Sequence, residues 1–161
     1  MGKEKTPATQ AIRTLKRFRV EFTLHPYKYI EKGGTAAAAR ALGIDEHMTV
    51  KTLVFENEKR EPLLLLMHGD REVSTKTLAR FLGVKTVQPC DPEKAHKHTG
   101  YQVGGISPFG TRKGLKVYVE SSVMQLSKIY INAGRRGLLA EISPAELTRV
   151  LDPVPVNVSL E

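Results

Sequence analysis

The chain has 161 residues, 25 of them Lys or Arg and 17 Asp or Glu, for a net charge of +8. With 40% apolar and 26% charged residues it has the composition of a globular domain, and its single Cys, Cys90, excludes a disulfide scaffold. The longest apolar run, Leu63 to Met67, has five residues, far short of the ~18–20 that a membrane-crossing helix needs, and the excess of base favours a polyanionic partner: RNA, DNA or an anionic membrane surface.

In chain order, Thr6-Pro7 suits a helix start, with Thr as cap and Pro at the first helical position, and Ala8, Ala11, Ile12, Leu15 and Phe18 recur at helical spacing. Val20, Phe22 and Leu24 alternate with polar residues and predict a strand that ends at His25-Pro26-Tyr27. Thr35 to Leu42 reads as an alanine-rich helix stopped by Gly43. Thr49 to Phe55 and Pro62 to Met67 read as strands joined by a turn at Asn57-Glu58-Lys59-Arg60. Ser74 or Thr75 starts a helix ending at Gly83, Val84 to Gln88 a short strand, and Asp91-Pro92 another helix.

Thr99 to Gly114, with five glycines and one proline, reads as a long loop. Leu115 to Glu120 and Lys128 to Asn132 follow as strands, with a helical turn near Val123 to Leu126 between them. Gly134-Arg135-Arg136-Gly137 is a tight turn before a strand over Leu138 to Ile142. Ser143-Pro144-Ala145-Glu146 matches a capping box, which opens a last helix to Leu151, and Val154 to Val158 reads as an edge strand. About seven strands and four or five helices in irregular order argue for an α+β fold. The expectation is a mixed, strongly twisted sheet or small β-barrel with outer helices, formed as one domain over residues 1–161. Met1 to Lys5 is polar with no apolar signal-peptide core, so a cytoplasmic location and no membrane partner are expected.

Chemistry concentrates in few places. Cys90 has no recognisable catalytic signature around it and reads as incidental or buried; His96 and His98 lack a third ligand at metal spacing. No metal and no cofactor are expected. Lys51 stands out because it shares a strand face with Leu53 and Phe55. It either snorkels at the sheet edge or presents a point charge to a phosphate. The segment Thr99-Gly100-Tyr101-Gln102-Val103-Gly104-Gly105-Ile106-Ser107-Pro108-Phe109-Gly110 is either a plain turn or a row of backbone N–H groups able to hold a carbonyl or oxyanion. The basic clusters Arg13/Lys16/Arg17/Arg19, Arg112/Lys113/Lys116 and Arg135/Arg136 suit scattered contacts to a phosphate backbone.

Taken together, Tyr27, Val50-Lys51-Thr52-Leu53, the Thr99–Gly110 string and Ile129-Tyr130 followed by Gly134-Arg135-Arg136-Gly137-Leu138 resemble the YbaK/EbsC aminoacyl-tRNA editing family. Within it they are most similar to the Cys-tRNA(Pro) deacylases. The resemblance spans about residues 7 to 152. It implies a trans-editing enzyme, formally a lyase or ester hydrolase, that removes a mischarged amino acid from tRNA in protein biosynthesis. Aminoacyl-tRNA is then the substrate, and prolyl-tRNA synthetase a partner in a ternary complex. It implies Lys51 near the terminal adenosine and its phosphate, and Gly104, Gly105, Ile106 and Ser107 facing the aminoacyl carbonyl. Tyr27, Thr99, Gly100, Tyr101 and Pro108 are implied to form the substrate pocket, with Arg112, Lys113, Arg135 and Arg136 on the tRNA. For cysteine, the family chemistry is attack of the substrate thiol on its own carbonyl. One position departs from the pattern: where the relatives have Asp, this chain has Leu139. That departure leaves editing of other small aminoacyl-tRNAs, and a non-catalytic tRNA-binding module, as alternatives. The glycine loop by itself would also suit a nucleotide-binding enzyme.

Overall fold

The structure is a computed structural model that describes residues 8–160. Helix α1 (Gln10–Arg17) is capped by Thr9, whose Oγ1 accepts from Ile12 N at 3.0 Å; the expected start at Thr6-Pro7 lies outside the described residues. The chain then leaves the helix through Arg19 at φ 56°, with Val20 N donating to Leu15 O. The strand expected from Val20 begins only at Thr23, as β1 (Thr23–Pro26). Val20 and Phe22 are apolar because they pack onto the core, not because they belong to a ladder, so their alternation mimics a strand.

Helix α2 (Gly34–Leu42) ends at Gly43, whose φ of 66° a residue with a side chain would adopt only under strain. A short 3-10 turn (Glu46–Met48) leads into β2 (Thr49–Asn57), which pairs antiparallel with β3 (Pro62–His68). The Asn57 side chain shapes the hairpin: its Oδ1 accepts from Lys59 N at 2.9 Å and from Glu61 N at 3.0 Å. After β4 (Glu72–Val73), α3 (Thr75–Leu82) is capped by Ser74 and α4 (Pro92–Thr99) by Asp91, with β5 (Val87–Pro89) between them. The remaining elements are β6 (Lys116–Glu120), a 3-10 turn (Ser121–Gln125), β7 (Ile129–Asn132), β8 (Leu138–Ile142), α5 (Ala145–Leu151), β9 (Val154–Val156) and β10 (Ser159–Leu160).

The capping box expected at Ser143 does not close. Ser143 Oγ accepts from Ala145 N at 3.3 Å, while the Glu146 carboxylate turns to Arg149 instead of back to the helix start. The β4–β10 pairing has no signal in the sequence; two residues per strand carry no readable period.

Eight strands form one mixed sheet in the order β1-β8-β7-β2-β3-β6-β9, with β5 also beside β2. The pairs β2–β7, β3–β6 and β6–β9 are parallel and the others antiparallel. Both faces of its centre are covered, which is why Leu63 to Met67 is an unbroken apolar run. Leu64 and Leu66 pack with α1, β7 and β8, whereas Leu63, Leu65 and Met67 pack with Leu78 of α3 and with Val156 and Val158. A third, smaller cluster joins Ala38 of α2 to Tyr130 and Leu139.

One interruption in the sheet positions the site. β7 pairs with β2 only at Thr49 and Val50, and β5 pairs with it only from Phe55 to Asn57. Residues 51–53 lie between these two pairings, on the same side of β2.

Candidate active site

A cavity of about 810 Å³ occupies this interruption, and its wall includes the whole of residues 49–55. Lys51 lies on it, with its side chain 20% exposed and Nζ 3.8 Å from Glu72 Oε1 on β4. The face of β2 that carries Lys51 also carries Leu53 and Phe55, which pack in the α3-side core. The lysine stem is thus part of an apolar wall and its head reaches the cavity.

Opposite the strand, Gly104 and Ile106 of the glycine-rich loop line the same cavity. Two close approaches explain the glycines. A Cβ on Gly104, at φ 93°, would stand 2.7 Å from Tyr29 Oη. A Cβ on Gly105 would stand 2.6 Å from Arg136 N and 2.7 Å from Arg135 C, so the loop and the Gly134–Gly137 turn touch backbone to backbone. Asn132 fastens them: its Nδ2 donates to Gly104 O, and its Oδ1 accepts from Gly134 N and Arg135 N.

The structure divides the residues singled out from the sequence. Lys51, Tyr27, Gly104, Ile106 and Arg136 line the cavity, whereas Thr99, Gly100, Tyr101, Gly105, Ser107, Pro108, Arg112, Lys113 and Arg135 are not among its lining residues. Gly105 is buried and its N–H already donates to Gln102 O at 2.8 Å, so that amide is spent within the loop. Ser107 is fully buried and its Oγ accepts from Phe109 N at 3.2 Å. Tyr101, 6% exposed, donates its hydroxyl to Phe109 O at 2.5 Å, and burial pushes its phenol up to about 12. Thr99 is buried at the end of α4, donates to Ala95 O at 2.7 Å and accepts from Tyr101 N, and Gly100 caps α4 in the left-handed region. The conspicuous string therefore braces the loop, and only Gly104 and Ile106 among its predicted site residues face the cavity. Burial keeps the Tyr27 phenol above its ordinary value, and its backbone N–H donates to Gly137 O.

Arg136 is fixed at the cavity wall, with its Nε donating to Val103 O at 3.0 Å and its guanidinium 5.0 Å from the Tyr29 ring centre. Arg112 and Lys113 lie outside the cavity, and Lys113 Nζ stands 3.1 Å from His98 Nδ1. Cys90 also lines the cavity, but burial, and then the nearby Glu56 carboxylate, push its thiol up to about 11. At neutral pH that sulfur is protonated and a poor nucleophile.

Sequence reasoning alone misses Glu46, Thr35, Tyr29 and Asn132, all on the cavity wall. Only Asn132 has a local signal, as an Asn two residues before a turn glycine. It also misses His47, His68 and Asp70, whose ligating atoms lie within 4.8 Å of one another. The two imidazoles are stacked at 3.9 Å with planes 6° apart, so their in-plane lone pairs do not converge on one ion. His68 Nδ1 lies 2.8 Å from His47 O and Nε2 2.7 Å from Ser122 Oγ, while His47 Nδ1 lies 2.9 Å from Asp70 Oδ1; the trio is a hydrogen-bonded brace. Among the described residues no helix is long and apolar enough to cross a membrane.

Comparison with known proteins shows the family and the fold. The family model for an aminoacyl-tRNA editing domain matches residues 31–150. The "Putative Cys-tRNA(Pro)/Cys-tRNA(Cys) deacylase EbsC" of Enterococcus faecalis is 32% identical over 146 residues, 89% of either chain. A proline–tRNA ligase of Streptococcus equi subsp. zooepidemicus is 28% identical over 62% of this chain and 16% of its own length. The crystal structure titled as a "putative trans-editing enzyme for prolyl tRNA synthetase" superposes with a TM-score of 0.82 at 22% identity, over 97% of this chain and all of that one, which establishes a shared fold. Since the family match covers 120 of the 161 residues, Lys51 and the glycine loop among them, this chain belongs to the aminoacyl-tRNA editing domain family.

Proposed function

We propose that this protein is a trans-acting deacylase that removes the amino acid from mischarged Cys-tRNA(Pro). The observation that carries the reading is that Lys51, Gly104 and Ile106 line one cavity. An aminoacyl ester offers a carbonyl to polarise and a 3′-terminal adenosine with its phosphate to hold. The Lys51 ammonium suits the phosphate as a point charge. Amides of Gly104 and Ile106 suit the carbonyl oxygen, where a preorganised donor contributes about 2.7–4 kcal/mol to the transition state.

The protein supplies no activated nucleophile in this reading, in keeping with a protonated Cys90. With a cysteinyl ester the substrate sulfur attacks its own carbonyl carbon. A C–S bond forms, the C–O bond to the ribose breaks, and the thiol proton ends on the departing ribose hydroxyl. The products are tRNA and a thiolactone. Esters without a thiol require water in place of the sulfur, and this is the reading for alanine. Arg136, Arg135, Arg112 and Lys113 suit the tRNA backbone without reading its sequence. The relatedness to proline–tRNA ligase supports association with prolyl-tRNA synthetase, which would deliver the mischarged tRNA.

The test is a deacylation panel of Cys-, Ala-, Pro- and Ser-charged tRNA(Pro) with the wild-type protein and Lys51→Ala. Fastest release from Cys-tRNA(Pro), and a loss of roughly 10²–10³-fold in Lys51→Ala, is expected. Wild-type rates from Lys51→Ala would refute the reading. Tight tRNA binding with every ester left intact would make the protein a binding module, the alternative that the apolar Leu139 on the cavity wall favours.

A further inference from the structure

An aminoacyl ester carries a second handle besides its carbonyl and its phosphate. Its α-amino group is a cation below its own pKa, about 8 for an ordinary α-amine. A cation drawn into a half-enclosed cavity needs an acceptor, or it loses its hydration without compensation.

Three carboxylates line the cavity: Glu31, Glu46 and Glu72. Glu31 is exposed, and Glu72 is 84% exposed and already beside Lys51. Glu46 differs from both. It is partly buried, its Oε2 accepts from Thr35 Oγ1 at 2.8 Å, and that hydroxyl stands 3.0 Å from Gly69 O. Among the described residues its Oε1 has no hydrogen-bond donor and neither oxygen has a basic partner within ion-pair distance.

The backbone beneath the carboxylate is also held. Asp45 Oδ1 accepts from His47 N at the start of the 3-10 turn, Thr49 Oγ1 donates to Glu46 O at 2.6 Å, and Gly69 N donates to Thr49 O at 2.8 Å. A Cβ at Gly69 would stand 2.0 Å from Thr49 Oγ1 and 2.7 Å from Thr35 Oγ1, so these three residues close tightly behind Glu46. Elsewhere on the wall, Ala38, Tyr130 and Leu139 form an apolar cluster that offers no negative charge.

We infer that Glu46, fixed by Thr35 and the Gly69 turn, receives the α-ammonium group of the aminoacyl ester and makes the site selective for substrates with a free amine. The inference rests on the deacylase reading above and adds to it a positioning contact: phosphate on Lys51, carbonyl on the loop amides, ammonium on Glu46. A peptidyl or N-acylated ester lacks the cation and leaves the carboxylate without a partner, so the site disfavours it.

The test compares tRNA(Pro) charged with cysteine and with N-acetylcysteine, using the wild-type protein and Glu46→Gln. The side-chain amide of that variant keeps an oxygen for Thr35 and removes only the charge. The wild type is expected to prefer the free amine at least tenfold in kcat/KM, and Glu46→Gln to lose most of that preference through the free-amine substrate alone. The same comparison is made in binding, with non-hydrolysable 3′-amide analogues of cysteinyl-adenosine carrying a free or an acetylated amine. An unchanged free-to-acetylated ratio in Glu46→Gln, with wild-type deacylation intact, overturns the Glu46 role and leaves the deacylase reading standing. Failure of the wild type to cleave either ester, while binding the free-amine analogue in a Glu46-dependent way, sinks the deacylase reading and upholds the ammonium site. A melting temperature for Glu46→Gln well below that of the wild type, with the ratio unmoved, assigns Glu46 to structure only and overturns the inference.

Discussion

Asn132 and Gly104 are 28 residues apart and joined by one hydrogen bond, Nδ2 to the carbonyl oxygen at 3.3 Å, at the rim of the cavity. The same side chain holds Gly134 N and Arg135 N on its oxygen, at 2.7 and 3.0 Å. Asn132→Ala removes all three bonds. At about 0.5–1.5 kcal/mol each, and partly solvated, they support a loss of about 1–3 kcal/mol. For a chain of this size that corresponds to a fall of roughly 2–10 °C in melting temperature, read by differential scanning calorimetry. Deacylation should fall with it, because the loop amides lose their reference to the turn.

Gly105→Ala tests the backbone contact between the loop and the turn. The new methyl group meets Arg136 N and Arg135 C, main-chain atoms that cannot swing aside. A cost of about 1–3 kcal/mol and a clear loss of deacylation are expected. Gly114→Ala, where nothing lies within 4 Å of the new Cβ, is the matched control and should melt within about 0.5 kcal/mol of wild type. Equal melting temperatures for the two variants would contradict the described packing.

Cys90 touches the cavity and is the chain's only thiol. With that thiol pushed up to about 11, Cys90→Ala should deacylate within about twofold of wild type. Alkylation by iodoacetamide should be slow at neutral pH and accelerate steadily as the solution is made more alkaline. Rapid modification at neutral pH, or loss of turnover in Cys90→Ala, would bring the cysteine back into the chemistry.

His68 gives the stability a pH dependence of definite sign. Burial holds its imidazole below the ordinary value, and the neighbouring His47 adds to this, while Asp70, Glu120 and the His47 carbonyl oppose it. The folded state therefore binds the proton less well than the unfolded chain does. The contribution is fully present above about pH 6.5 and is lost as pH falls through the lower, folded value. Urea midpoints measured from about pH 8 down to about pH 5 should decline, and His68→Gln should flatten that decline. A midpoint that rises on acidification would refute the assignment.

Much of this protein is readable from local chemistry. Gly43, Gly83 and Gly100 each close a helix in the left-handed region, Ser74 and Asp91 each open one, and Asn57 turns the hairpin. Those signals act over three or four residues, so a single sequence carries them whole. The face shared by Lys51, Leu53 and Phe55 follows from the two-residue period of a strand and is found as expected. The motifs around Lys51, the Thr99–Gly110 string and the Gly134–Gly137 turn resemble the editing-domain family that the comparisons establish.

The interior of the site is decided by contacts that no local rule contains. Ser107 and Tyr101 belong to the most conspicuous string in the chain, yet they are buried braces, because the loop folds onto α4 and Phe109. Glu46 looks ordinary in sequence and Asn132 signals only a turn, yet both stand on the cavity wall, because α2 and the Gly134–Gly137 turn come to rest against β2 and the loop. The cavity itself exists because β7 and β5 each pair with only part of β2, leaving residues 51–53 between them. Strand order and register arise from burying apolar faces across distant segments, a property of the whole chain, whereas helix caps and turns are settled by near neighbours.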